Sequence, residues 1–211
     1  MLHPDTELGF IDPEIGVGVF ATKLIPKGTI VWALDHLDQV LEPALVDSLD
    51  EQRRRLVLKH AYRDRYGKYV LCWDYGKFIN HSFHANCMGT AYEIEIAVRD
   101  ILPGDELTDD YGTLNVDEPF ECRAEADTDR TCVMSDDLLH YSDEWDRLVL
   151  DAFGHYRSIE QPLAHLVQPK FRDALRVAVN QHVLLDSIRT TYYDRSTDAQ
   201  FSSPRLYQSP S

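Results

Sequence analysis

The sequence has no run of about eighteen consecutive apolar residues, so no membrane-crossing helix is expected. Its opening, MLHPDTELGF, lacks a basic segment followed by an apolar one. No secretory signal is therefore read, and a cytoplasmic protein is expected. Cysteine is sparse: Cys72, Cys87, Cys122 and Cys132, with no CxxC pair. That excludes a disulfide framework in an intracellular chain of this size. Histidines are scattered and none forms HExxH, so no metal-ligand spacing is visible. Basic residues are scarce as well, with 21 Lys and Arg against 36 Asp and Glu and a net charge of −15. Such a balance argues against nucleic acid as a partner and favours attraction of a basic peptide. Ten glycines and ten prolines in 211 residues exclude a collagen-like or linker-dominated chain.

What is present suits a packed core: 44% hydrophobic and 27% charged residues. Residues 1–132 read mostly as strands and turns. GVGVFAT and TIVWAL are short β-branched runs separated by the turn signal IPKG. Ser48-Leu49-Asp50-Glu51 has capping-box spacing and predicts one helix to about Lys59. YRDRYGKYVLCW predicts a hairpin turning at Gly67-Lys68, and EIEIAV alternates as a half-buried strand does. Residues 133–193 change to helical spacing. Leu138, Tyr141, Trp145, Leu148, Val149 and Ala152 share a face, with Gly154 as the stop. Ser158 and Gln161 predict the cap of a short helix, and Pro169 starts another whose face carries Phe171, Ala174, Leu175, Ala178 and His182. Residues 194–211 have the composition of a flexible tail.

Gly16-Val17-Gly18-Val19-Phe20-Ala21 fits a loose dinucleotide-binding pattern. Asp12-Pro13 before it and Pro26-Lys27-Gly28 after it leave no room for the helix that motif requires. The same glycine turn has another meaning in combination. It is followed by Ile25-Pro26-Lys27-Gly28, by Phe78-Ile79-Asn80-His81-Ser82-Phe83-His84-Ala85-Asn86-Cys87, and by Gly104-Asp105-Glu106-Leu107-Thr108-Asp109-Asp110-Tyr111-Gly112. In this order over residues 8–122, these segments resemble the SET domain of protein-lysine methyltransferases, in a compact bacterial form.

The resemblance implies an α+β fold of short sheets with a knot-like core, here with a C-terminal helical appendage. It implies transfer of a methyl group from S-adenosylmethionine to the side-chain amine of lysine in a protein substrate. Tyr111 falls at the family's catalytic tyrosine. Gly16, Val17, Gly18, Asn80 and His81, with Tyr111, fall at the positions that hold the methyl donor. Asp109 stands where the family carries Tyr or Phe on the wall of the lysine channel. The chemistry agrees with these residue types. A lysine amine, with a pKa of about 10.4, must lose a proton before it attacks. The site must then align nitrogen, carbon and sulfur, and a tyrosine hydroxyl beside carbonyl oxygens offers weak CH···O contacts to the methyl group.

Two departures matter. Asp109 places a carboxylate beside the amine, which favours the charged form. The family's post-SET zinc site is broken: Phe83 replaces one cysteine and Cys122-Arg123-Ala124 lacks another, so folding without zinc is expected. The acidic insert from Glu125 to Arg130 reads as a solvated loop. Trp145, Phe153 and Tyr156 then form either a stacking surface for the donor's adenine or plain core. Two alternatives stand beside the enzyme reading: a catalytically idle SET module that binds protein, and a methyltransferase of small amines.

Overall fold

The computed structural model describes residues 1–197; most of the expected tail lies outside the described residues. The strands and helices of the N-terminal part are β1 (Thr6–Phe10), β2 (Val17–Ala21), β3 (Ile30–Ala33), β4 (Gln39–Leu41), α1 (Pro43–Ser48), α2 (Glu51–His60), β5 (Ala61–Arg63) and β6 (Tyr69–Leu71). They continue with β7 (Asn80–His81), β8 (Cys87–Gly89), β9 (Ile94–Ala97), β10 (Glu106–Asp109), β11 (Phe120–Glu121) and β12 (Cys132–Val133). The chain then forms α3 (Asp137–Phe153) and α4 (Pro169–Gln181).

The principal sheet runs β1-β2-β10-β8-β9-β3, with β7 also paired to β10. Both β7 and β8 run parallel to β10, at Thr108↔Asn80, Asp109↔His81 and Asp109↔Cys87. A smaller sheet, β4-β6-β5, stands beside it. Its β5–β6 hairpin turns through Gly67 at φ +76°, a left-handed value that glycine adopts without strain.

Side-chain alternation divides the principal sheet into two apolar layers. Met88, Ile94 and Ile96 face α3 and α4, where they join Leu138, Trp145, Val149, Phe153 and Leu175 in one core. Val19, Cys87, Ala97 and Leu107 face the other way, into a second core with Ile79, Cys72 and Trp32. The helical segment is thus packed directly on the sheet. Gln161 fastens their junction. Its amide accepts from Ile30 N at 2.9 Å and donates to Gly28 O at 2.7 Å, satisfying backbone groups beside edge strand β3.

Several local expectations need correction. The capping-box helix starts at Asp50, whose carboxylate accepts from Arg53 N at 2.9 Å, while Ser48 ends the separate helix α1. Pro43 at the start of α1, with its fixed φ, opens that extra turn. Between Ser158 and Pro169 lie only short 3-10 turns instead of a capped α-helix, and the Ser158 hydroxyl bonds back to His155 O. His182 is the left-handed residue that ends α4, at φ +55°. Arg195 docks onto the loop after Tyr111, with its guanidinium 2.7 Å from Asp117 O. Among the described residues, no helix is long and apolar enough to cross a membrane.

Candidate active site

Strands β2, β7 and β10 bring the glycine turn, the Asn80-His81 pair and Tyr111 into one place. Gly16 has φ +92° and nothing within 4 Å of a Cβ built there, so it is both a required glycine and open in front. Gly18 is enclosed. A Cβ on it would lie 2.4 Å from Glu106 Oε1 and 3.0 Å from Asn80 Nδ2. The Asn80 amide donates to Val17 O at 3.1 Å and to Glu106 Oε1 at 2.8 Å, tying β7 to the glycine strand. Glu106 lies in the Gly104–Gly112 segment, where spacing alone does not mark it as a partner of Asn80.

His81 accepts from Tyr111 N through Nδ1 at 3.1 Å. That bond places the ring hydrogen on Nε2, which is buried and has no partner. Burial lowers the His81 pKa against the pull of Asp110 and Glu125, which suits a neutral ring. Phe83, Tyr111 and Phe120 surround the ring, the last being 37% exposed.

Tyr111 opens a 3-10 turn capped by Asp110, whose carboxylate accepts from Gly112 N at 3.0 Å. The Tyr111 hydroxyl donates to Ile79 O at 2.6 Å. Its pKa is raised, first by burial and then by Asp109, Glu95 and Glu106, so the hydroxyl keeps its proton at neutral pH.

Beyond Tyr111 opens a cavity of about 800 Å³, whose lining includes Trp32, Tyr62, Ile79, Glu95, Asp109 and Tyr111. Asp109 is only 2% exposed; its Oδ1 has no partner, and its Oδ2 accepts from the Thr113 hydroxyl at 3.4 Å. Glu95 Oε2 is also buried without a partner. The Asp109 pKa is pushed well up by burial, then by Glu95 and Asp110. Burial raises Glu95 to about 7. The alternating EIEIAV segment is strand β9, and Glu95 on it borders the cavity.

The insert from Glu125 to Arg130 is anchored at both ends rather than freely solvated. Glu125 accepts from the Ser82 hydroxyl at 3.0 Å and from Phe83 N at 3.1 Å, holding the turn after Asn80-His81. Arg130 pairs with Asp110 and Asp137 and stacks between Phe83 and Tyr141 at 4.4 and 4.3 Å. Burial opposes its charge, yet the two carboxylates hold its pKa above the usual guanidinium value. Trp145 and Phe153 are 3% and 1% exposed, so they are core and present no stacking face. Cys132 lies on β12 and Cys122 directly follows its partner strand β11, and all four cysteines are free. Among the described residues, no three His, Cys, Asp or Glu side chains gather into a metal-holding group.

Residues 16–112 match the family model of the SET domain. That segment is thus a SET-domain match, and members of the SET-domain family are methyltransferases. Among solved structures, the chain is similar to a candidate histone methyltransferase from Plasmodium falciparum. The two share 19% identity at a TM-score of 0.40, over 52% of this chain and 95% of the other, a likeness too distant to bear on function. A search of curated proteins finds no match.

Proposed function

We propose that this protein transfers the methyl group of S-adenosylmethionine to the side-chain amine of lysine in a basic protein or peptide. One observation carries the reading: an unbroken chain of contacts leads from the glycine turn to the cavity. Val17 O meets Asn80, the adjacent His81 meets Tyr111 N, and Tyr111 lines the cavity. A single tyrosine thus stands between an open backbone cradle and a cavity with Glu95 and Asp109 in its wall.

The residues of the cradle fit the donor. Gly16 is open in front, His81 Nε2 offers an unused hydrogen, and Phe120 beside it is partly exposed. Gly16, Val17, Gly18, Asn80 and His81 would hold the donor, which supplies an electrophilic methyl group. Tyr111 is fixed by its bond to Ile79 O, so its hydroxyl oxygen is held in place without reorganisation. The aromatic walls Trp32 and Tyr62 suit an alkylammonium stem. The rim carries Asp47 and Glu118 beside Arg54, Lys59 and Lys77. Attraction for a basic partner therefore rests on the net charge of −15 more than on the rim. Four free cysteines suit a reducing, cytoplasmic setting. The helices of residues 133–193 buttress the sheet and leave the chemistry to residues 1–132.

Calorimetry with S-adenosylmethionine tests donor uptake, and mass spectrometry of a lysine-rich peptide pool tests transfer. Stoichiometric binding with added methyl groups on lysine is the expected result. Absence of donor binding would replace this reading with that of an idle module.

A further inference from the structure

Register alone puts Glu95 and Asp109 on one face of the principal sheet. Asp109, Cys87 and Ala97 lie in one row across β10, β8 and β9. Glu95 is two residues from Ala97 on β9, so it points the same way, and it faces Trp32 across β3. This is the face of the second apolar core, where two carboxyl groups are out of place unless they have a use. Each carries one buried oxygen without a partner, and both border the cavity beside Tyr111.

We propose that the Glu95–Asp109 pair is the proton acceptor for the substrate amine. This rests on the lysine-methylation reading and adds to it the base that the reaction needs. The amine arrives as R–NH3+ and gives one proton to the pair, which then holds two protons and is neutral. The freed nitrogen lone pair forms the N–C bond, while the electrons of the breaking C–S bond remain on sulfur. The secondary ammonium product leaves, and the pair returns its proton to solvent through the cavity.

The groups around the pair support this role. Asp110, Cys87, Tyr111, Tyr62 and Cys72 interact electrostatically with one or both carboxyls, and the Met1 amino group draws the Glu95 pKa down against its burial. The thiols and phenols have raised pKa values, so the proton stays with the carboxyls at neutral pH. A base whose pKa lies near 7, as that of Glu95 does, combines ready uptake with ready release.

The test uses n-butylamine as the probe and infrared difference spectroscopy at pH 7 as the readout, with no methyl donor needed. Protonated carboxyl groups absorb apart from carboxylates. Addition of the amine to the wild-type protein should increase the protonated-carboxyl signal. Glu95→Gln should lose much of that increase, and Glu95→Gln with Asp109→Asn should lose all of it. A decrease in the signal on amine addition would show that the pair merely anchors an ammonium ion, and no change would show that the amine does not reach it. Either result overturns the proposal. In parallel, methyl transfer by the wild type should rise with pH through about 7, and Glu95→Gln should abolish that rise and slow transfer at least tenfold. Normal transfer with an unaltered pH profile in Glu95→Gln would reject the pair while leaving lysine methylation standing. Failure of the wild type to bind S-adenosylmethionine would reject lysine methylation by itself, since the infrared readout does not depend on the donor.

Discussion

The two faces of the principal sheet use the same strands for different ends. On β8 and β9, Met88, Ile94 and Ile96 pack into the helices, while Cys87, Glu95 and Ala97 turn toward the cavity side. The helix-covered face is apolar and fully packed. The opposite face accepts two buried carboxyls and a cavity of about 800 Å³, features that cost stability. Period-2 alternation thus puts a packed apolar face and an acidic, cavity-bordering face on a single strand. That division can be broken from either side, by weakening the packed face or by neutralising the acidic one.

The largest effect should come from the packed face. Phe153 on α3 is 1% exposed and lies against Tyr92 and Tyr156, with ring centroids 6.2 and 6.3 Å away. Phe153→Ala removes a buried ring and leaves a cavity, a loss of about 4 kcal/mol. Denaturant unfolding should show it, with methyl transfer per folded molecule unchanged. Loss of transfer in the folded fraction would mean that the two faces are coupled.

Tyr111→Phe strikes the other side. It deletes one hydroxyl and the bond to Ile79 O, with almost no change of volume. Methyl transfer should fall about a hundredfold or more, equivalent to roughly 3 kcal/mol of transition-state stabilisation. Donor affinity measured by calorimetry should change much less. Unaltered transfer would mean that the hydroxyl takes no part in the reaction.

Next in size is a stability change that depends on pH. Burial raises Glu95 from an ordinary 4.5 to about 7. A carboxyl raised in the folded state favours folding fully below its unfolded pKa and loses that contribution as pH rises through its folded value. Glu95→Gln cannot ionise, so it should stabilise the protein at pH 8 by about 2 kcal/mol and change little at pH 4. Thermal unfolding at the two pH values measures the difference. Equal effects at both would show that Glu95 is solvated in the native protein.

Much of this division was legible in the sequence, and the reasons are local. β2, β3 and β9 follow from β-branched runs bounded by turn signals, and α3 and α4 from apolar spacing ended by Gly154 and opened by Pro169. The residues of the site lie in short contiguous motifs, so their convergence was foreseen once the motifs were taken together. The role of Glu95 was hidden, because alternation tells which residues share a face but not whether that face meets water or a cavity. Glu125 and Arg130 were hidden for a different reason. Their partners, Ser82 and Asp110, lie 43 and 20 residues away, and no local pattern encodes such pairs. Trp145 shows the limit of an aromatic stripe: only packing decides between core and binding surface.

The smallest effect concerns the seam where the helices meet the sheet edge. Gln161 uses both ends of its amide on the backbone around β3, accepting from Ile30 N and donating to Gly28 O and Tyr156 O. Gln161→Ala removes the side-chain partner of one part-buried N–H and two part-buried carbonyls. A loss of about 1 kcal/mol is expected. Gln161 lies outside the cavity, and its bonds hold the edge strand rather than β10, where Asp109 sits. Methyl transfer and its pH profile should therefore be unaffected, while amide exchange at Ile30 should accelerate. If transfer fell together with protection at Ile30, the bulged β3–β9 ladder that pairs Trp32 with Glu95 would be carrying strain from the seam to the acidic face. The helices would then take part in setting the geometry of the site instead of only covering the sheet.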